Sequence, residues 1–270
     1  MTERFVEFEC DGHWMVGILH LPAEPCSAGI VVIGRTGSDR LSVHLGRAAA
    51  ARGIALFRFD FRGRGDCEGP VVPVEQTGLD LACAIAAFQR EAPQIQRLAI
   101  WGLSEGAAAA LLYGPDDQRV AGLILVNPWV RMEQAVAKAH LKKNLSRVFD
   151  SEFWERIRKS EQGYAGAARS FLTLTRNFFA SSKSPAGRPL RDRLMDSLTK
   201  FSGPVEIILS GGDPATAVFQ DAAKEQLEAL ARSGRLTVHM EPEANHVFSR
   251  SDWRANLIDW SLDWVKATIS

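Results

Sequence analysis

Apolar residues in this chain fall in short unbroken runs, separated by stretches where they recur every three or four positions. Six runs read as strands: Gly29-Ile-Val-Val-Ile33, Ile54-Ala-Leu-Phe-Arg-Phe59, Leu98-Ala-Ile-Trp101, Val120-Ala-Gly-Leu-Ile-Leu-Val126, Pro204-Val-Glu-Ile-Ile-Leu-Ser210 and Leu236-Thr-Val-His-Met240. Most lack the polar alternation of a half-exposed strand, which suits a sheet covered on both faces. Between them, His44 to Arg52, Glu75 to Gln89 and Ala107 to Tyr113 have helical spacing. Leu257, Trp260, Leu262 and Trp264 give Trp253 to Ile269 the pattern of a closing amphipathic helix. Phe5 to Phe8 and Trp14 to Leu21 predict an N-terminal hairpin. Strands alternating with helices predict an α/β fold with a mostly parallel central sheet flanked by helices.

One segment breaks the alternation. From Trp129 to about Lys200 no strand pattern is found, which predicts a helical cap at 129–200 inserted into a core of 1–128 and 201–270. Residues 131–200 hold 15 Lys and Arg against 7 Asp and Glu, a net of +8. The other 17 basic and 25 acidic residues, out of 32 of each, leave −8 elsewhere. Two readings fit: solvated helix faces, or a basic cap that draws in an anionic acyl carrier such as a CoA ester or an acidic carrier protein.

The overall formal charge is zero, which gives no footprint for nucleic acid. Hydrophobic content of 46% suits an ordinary soluble protein, and no apolar run is long enough to cross a membrane. Met1 to Phe5 does not open a signal peptide. Cys10, Cys26, Cys67 and Cys83 lack metal or redox spacing, so reduced thiols in a cytoplasmic protein are expected. No metal-ligand set, P-loop or dinucleotide fingerprint is present, and no cofactor is expected.

The chemistry concentrates at strand ends. Gly102-Leu103-Ser104-Glu105-Gly106 follows an apolar run and opens an alanine-rich helix. G-x-S-x-G in that setting resembles the nucleophile elbow of α/β-hydrolases, where small neighbours let strand and helix approach and expose the serine at the helix N-terminus. Asp213 follows the strand ending at Ser210, and His246 follows the strand ending at Met240. Ser, then Asp, then His is the order of that fold's triad, so Ser104, Asp213 and His246 are the candidate catalytic residues. Asp150 and Glu241 are the alternative acids. His239, inside a strand, reads as a packed or paired residue, and Asp60 and Asp66 as fixers of their turn.

Phe57-Arg-Phe-Asp-Phe-Arg-Gly-Arg-Gly-Asp66 resembles the R-x-D-x-R-G-x-G-x-S turn of the serine-aminopeptidase-like branch of α/β-hydrolases. Trp101-Gly-Leu-Ser104, Asn127-Pro-Trp-Val-Arg131 and His246-Val-Phe-Ser249 with Trp253 are similar, more narrowly, to exosortase-A-system-associated hydrolases. Many members of that group carry Cys-Asp where this chain has Ser104-Glu105, and Ile33-Gly-Arg-Thr-Gly37 lacks the usual histidine of the oxyanion loop. The resemblance implies attack by Ser104 on an acyl carbonyl, with the N–H groups of Glu105 and of Arg35 or Thr36 holding the oxyanion. Arg35 would grip a substrate carboxylate or phosphate, or pair with Asp39 or Asp60. Trp129, Phe153, Trp154 and Phe178 would line the acyl site. Three functions follow: hydrolysis of an ester or thioester, acyl transfer to an alcohol, or a non-catalytic scaffold binding an acidic carrier.

Overall fold

The structure, a computed structural model, describes residues 1–130 and 188–269. The chain divides into two units, Met1–Val130 with Asp192–Ser270, and Arg131–Arg191. The sequence pattern put the boundaries at 128/129 and 200/201, whereas the helix Leu190–Lys200 spans the observed boundary at 191/192. The fold below is that of the first unit.

Strands β1 (Thr2–Cys10) and β2 (His13–Leu21) form the expected hairpin. β3 (Gly29–Ile33) leads to helix α1 (Leu41–Ala51), and β4 (Ala55–Phe59) leads to α2 (Gly78–Glu91). β5 (Leu98–Leu103) turns directly into α3 (Glu105–Tyr113), followed by β6 (Val120–Val126). After α4 (Leu190–Lys200) come β7 (Val205–Ser210), α5 (Pro214–Ala222), α6 (Lys224–Arg232), β8 (Leu236–Glu241) and α7 (Ser251–Thr268). The eight strands run in the order β1-β2-β4-β3-β5-β6-β7-β8. β2 is antiparallel to both neighbours, and β4 to β8 pair in parallel through β3.

Burial explains the sequence pattern. β4, β6 and β7 are buried along their whole length, whereas β1 alternates and β8, at the other edge, is only half covered. Leu41 and Leu45 of α1 join Leu257, Leu262 and Val265 of α7 in one core against Ile30, Val32, Trp101 and Ile124. On β4, Phe57 and Phe59 point the other way, where Phe57 stacks on Phe88 of α2 at 5.9 Å between centroids. Each such buried side chain stabilises the fold by roughly 1.5–3 kcal/mol. The parallel strands all end at one edge, and the residues of chemical interest sit there.

Candidate active site

Ser104 stands between β5 and α3 with φ 58° and ψ −114°, in the left-handed region that non-glycine residues avoid. Its amide donates to the Val126 carbonyl at 2.8 Å, and its carbonyl accepts from Ala108 N–H at 3.1 Å and Trp129 N–H at 3.2 Å. The strained residue is thus tied to β6 and to the helix it opens. Position 102 must be glycine, because a Cβ there would overlap the Gly106 carbonyl and lie 2.6 Å from the Ala107 nitrogen. The first-turn N–H groups of α3, beginning with Glu105, have no intrahelical acceptor.

Asp213 caps α5. Its Oδ1 accepts the Ala215 N–H at 2.9 Å, and its Oδ2 lies 2.5 Å from His246 Nδ1. One oxygen is fixed by the backbone while the other faces the imidazole, so the carboxylate cannot rotate away without breaking its cap. The loops carrying the pair are joined along their backbones: Gly211 N–H donates to Glu241 O at 2.9 Å and Gly212 N–H to Ala244 O at 3.0 Å. Only glycine permits this approach, since a Cβ at 212 would sit 2.7 Å from the Ala244 oxygen. Fully buried Phe248, at φ 52°, anchors the histidine loop from below. The structure brings Asp213 and His246 together, whereas the Ser104 hydroxyl makes no hydrogen bond among the described residues. Such bonds often tighten only when substrate binds.

Asn127, which sequence reasoning had quoted only as part of a resemblance, connects these parts. It is buried at the end of β6 with φ 41°. Its Nδ2 donates to Ser210 Oγ and to the His246 carbonyl, both at 2.8 Å, and its Oδ1 accepts the Ser210 N–H at 2.9 Å. A polar residue just after a fully apolar strand was the signal available.

Arg35 meets one expectation and departs from another. Its N–H donates to Asp60 Oδ1 at 2.7 Å, and its carbonyl accepts from Arg58 Nη1. Its side chain pairs with Asp60, Nε to Oδ2 at 3.5 Å, and with Asp66. Pairing with Asp60 is one of the two arrangements expected of the Arg35 side chain, whereas the oxyanion role expected of its N–H is corrected, because Asp60 already accepts that N–H. The Thr36 N–H makes no hydrogen bond among the described residues. Arg58 is itself buried, with Nε on His20 Nε2 at 2.8 Å. That bond needs a neutral imidazole, and burial pushes His20 down to about 4.

The Glu105 side chain is gripped by Arg64, with Nη1–Oε2 at 3.0 Å and Nη2–Oε1 at 2.9 Å. This hydrogen-bonded partner raises the Arg64 pKa. The R-G-R-G run that carried the family resemblance thus closes on the residue after Ser104. Trp129 is half-buried beside the Ser104 carbonyl, whereas Phe153, Trp154 and Phe178 lie outside the described residues. Of the rival acids, Glu241 accepts from Asn256 at 2.7 Å and Asp150 lies outside the described residues. His239 stacks on Trp260 at 4.7 Å.

A cavity of about 320 Å³ opens beside Ser104, between the loops after β3, β4 and β5. Among the described residues, no group of three or more His, Cys, Asp or Glu could hold a metal ion, and no helix is long and apolar enough to cross a membrane.

Solved structures share this architecture. DcsB in complex with its substrate analogue is 18% identical with a TM-score of 0.68, over 100% of both chains. The Pyrococcus furiosus esterase Pf2001 is 15% identical with a TM-score of 0.68, over 100% of this chain and 91% of that one. Est1E of Butyrivibrio proteoclasticus with ferulic acid bound is 16% identical with a TM-score of 0.63, over 97% and 98%. These likenesses show the fold. No curated protein sequence matches the chain. The family model described as serine aminopeptidase, S33 matches residues 23–170, more than half of the 270. The chain belongs to the serine aminopeptidase S33 family of α/β-hydrolase enzymes.

Proposed function

We propose that this enzyme hydrolyses a carboxylic ester or thioester through an acyl-enzyme on Ser104. The observation that carries the reading is the 2.5 Å contact of Asp213 Oδ2 with His246 Nδ1, on the same sheet edge as a strained serine at a helix N-terminus. His246 Nε2 takes the Ser104 proton as Oγ attacks the acyl carbonyl and later returns it to the leaving group. Asp213 fixes the imidazole tautomer and stabilises the imidazolium. The Glu105 N–H holds the oxyanion, with Thr36 as the candidate second donor now that Arg35 is engaged by Asp60. Removing one such donor costs about 3 kcal/mol in the barrier.

Water or an alcohol can accept the acyl group from the same intermediate. Turnover of p-nitrophenyl acyl esters with and without an added alcohol tests both outcomes. Activity lost in Ser104→Ala supports the acyl-enzyme, and acylated alcohol among the products would make the enzyme a transferase. A wild-type chain that turns over neither esters nor thioesters would return the site to a binding role.

A further inference from the structure

The cavity beside Ser104 has an apolar wall of Leu41, Phe61, Trp101 and Leu103. Its charges are paired within the protein. Asp60 accepts the Arg35 N–H at 2.7 Å and faces the Arg35 guanidinium, and Arg64 makes its two hydrogen bonds to Glu105. Each cation therefore has a carboxylate beside it, and the lining offers a ligand no unpaired positive charge.

One polar group is different. Ser42, on the first turn of α1, is 2% exposed and lines the cavity, yet its hydroxyl makes no hydrogen bond among the described residues. It lies under the loop that follows β3: a Cβ at Gly37 would stand 2.8 Å from Ser42 Oγ, and one at Gly34 would stand 4.0 Å away. That loop bears Thr36, whose carbonyl accepts the Ser42 N–H at 3.2 Å. A serine hydroxyl without a protein partner bonds whatever shares its space, water or ligand, and alanine would fit the helix better. Ser42 is thus aimed at whatever enters the space next to the nucleophile.

We infer that this cavity is the acyl subsite, and that it takes a small, uncharged acyl group bearing a hydroxyl that hydrogen-bonds Ser42. The assignment rests on the acyl-enzyme reading of Ser104. A cavity of about 320 Å³ lies at the small end of ligand sites, which suits a short acyl chain. A carboxylate in its place would meet Asp60 and Glu105 with no unneutralised cation to receive it.

The test compares kcat/KM for p-nitrophenyl butyrate, 3-hydroxybutyrate and succinate in the full chain and in Ser42→Ala. In the wild type, 3-hydroxybutyrate is expected to exceed butyrate by about tenfold, the worth of one neutral hydrogen bond, with succinate the poorest. Ser42→Ala should erase that preference, read as the ratio of the two kcat/KM values falling to about one. Equal losses on butyrate and 3-hydroxybutyrate would make Ser42 a support of the loop and overturn the assignment, as would a wild type without the preference or one favouring succinate. Fluorophosphonate labelling of Ser104 separates the two levels. Labelling and butyrate turnover without a hydroxyl preference sink the inference alone, whereas an unlabelled Ser104 with no ester turnover sinks both. A Ser42→Thr variant, which keeps the hydroxyl, should retain the preference and guards against a folding defect in Ser42→Ala.

Discussion

Asn127 Nδ2 donates to the main-chain carbonyl of His246 at 2.8 Å, across 119 residues of sequence. The same amide holds both the hydroxyl and the N–H of Ser210, at the strand end that leads to Asp213. The preceding residue, Val126, accepts the Ser104 N–H at 2.8 Å. One dipeptide at the end of β6 therefore fixes the backbones that carry all three candidate catalytic residues.

Asn127→Ala strands a buried N–H at Ser210 and a half-buried carbonyl at His246. It is expected to destabilise the fold by about 2–4 kcal/mol. In the protein that remains folded, kcat should fall by about 10–100-fold with KM little changed, because a displaced base loses proton-transfer geometry rather than substrate contact. Thermal melts and initial rates measured well below Tm separate the two effects. Lower Tm with unaltered kcat would limit Asn127 to stability.

Asp213→Asn is expected to lower kcat by about 10³–10⁴-fold, since an amide favours the wrong histidine tautomer. The N-cap bond to Ala215 can be kept by the asparagine oxygen, so the fold should tolerate the change. A loss of less than about tenfold would assign the acid elsewhere.

How far the sequence could be read followed from the range of the interactions. β3, β6 and β7 were legible to within a residue because they are apolar on both faces, a property local to each run. Gly102, Ser104, Asp213 and His246 were legible because motif and strand ends lie side by side in the sequence. The role of Asn127 depends on partners 83 and 119 residues away, which no local pattern encodes. Of the two oxyanion donors the sequence leaves open, the Arg35 N–H is taken by Asp60, an acceptor brought up by a neighbouring strand and invisible to local pattern. Helices α5 and α6 passed unnoticed: α6 buries only Leu230 among nine residues, too little apolar signal to mark a face.

Glu206 gives a pH signature. It is fully buried in β7 with no hydrogen bond to either oxygen, and its Oε1 lies 3.5 Å from His239 Nε2. Burial pushes its carboxyl up to about 8, and nearby Asp263 adds to the rise. Between its ordinary value of 4.5 and about 8, the folded state keeps a proton that the unfolded state releases. Its contribution to stability is therefore greatest at low pH and declines as pH rises through that window, by at most about 1.4 kcal/mol per unit. Glu206→Gln removes the proton exchange. The stability of Glu206→Gln minus that of the wild type should rise from pH 5 to about 8 and level off above it. Denaturant melts across that range check this, and a flat difference would contradict it.

Salt dependence tests whether the net +8 of residues 131–200 bears on substrate choice. A basic segment that steers an anionic acyl-CoA should make its kcat/KM fall as salt rises, while a neutral ester stays nearly constant. Charge reversal at Lys142 and Lys143 should reproduce the loss at low salt. Equal salt sensitivity for both substrates would assign those charges to solvation alone.

Peptide mapping of the fluorophosphonate adduct tests the central claim most directly. A single adduct on Ser104 is expected, absent from Ser104→Ala and formed much more slowly in Asp213→Asn. An adduct on another residue, or ester hydrolysis that persists in Ser104→Ala, would contradict it.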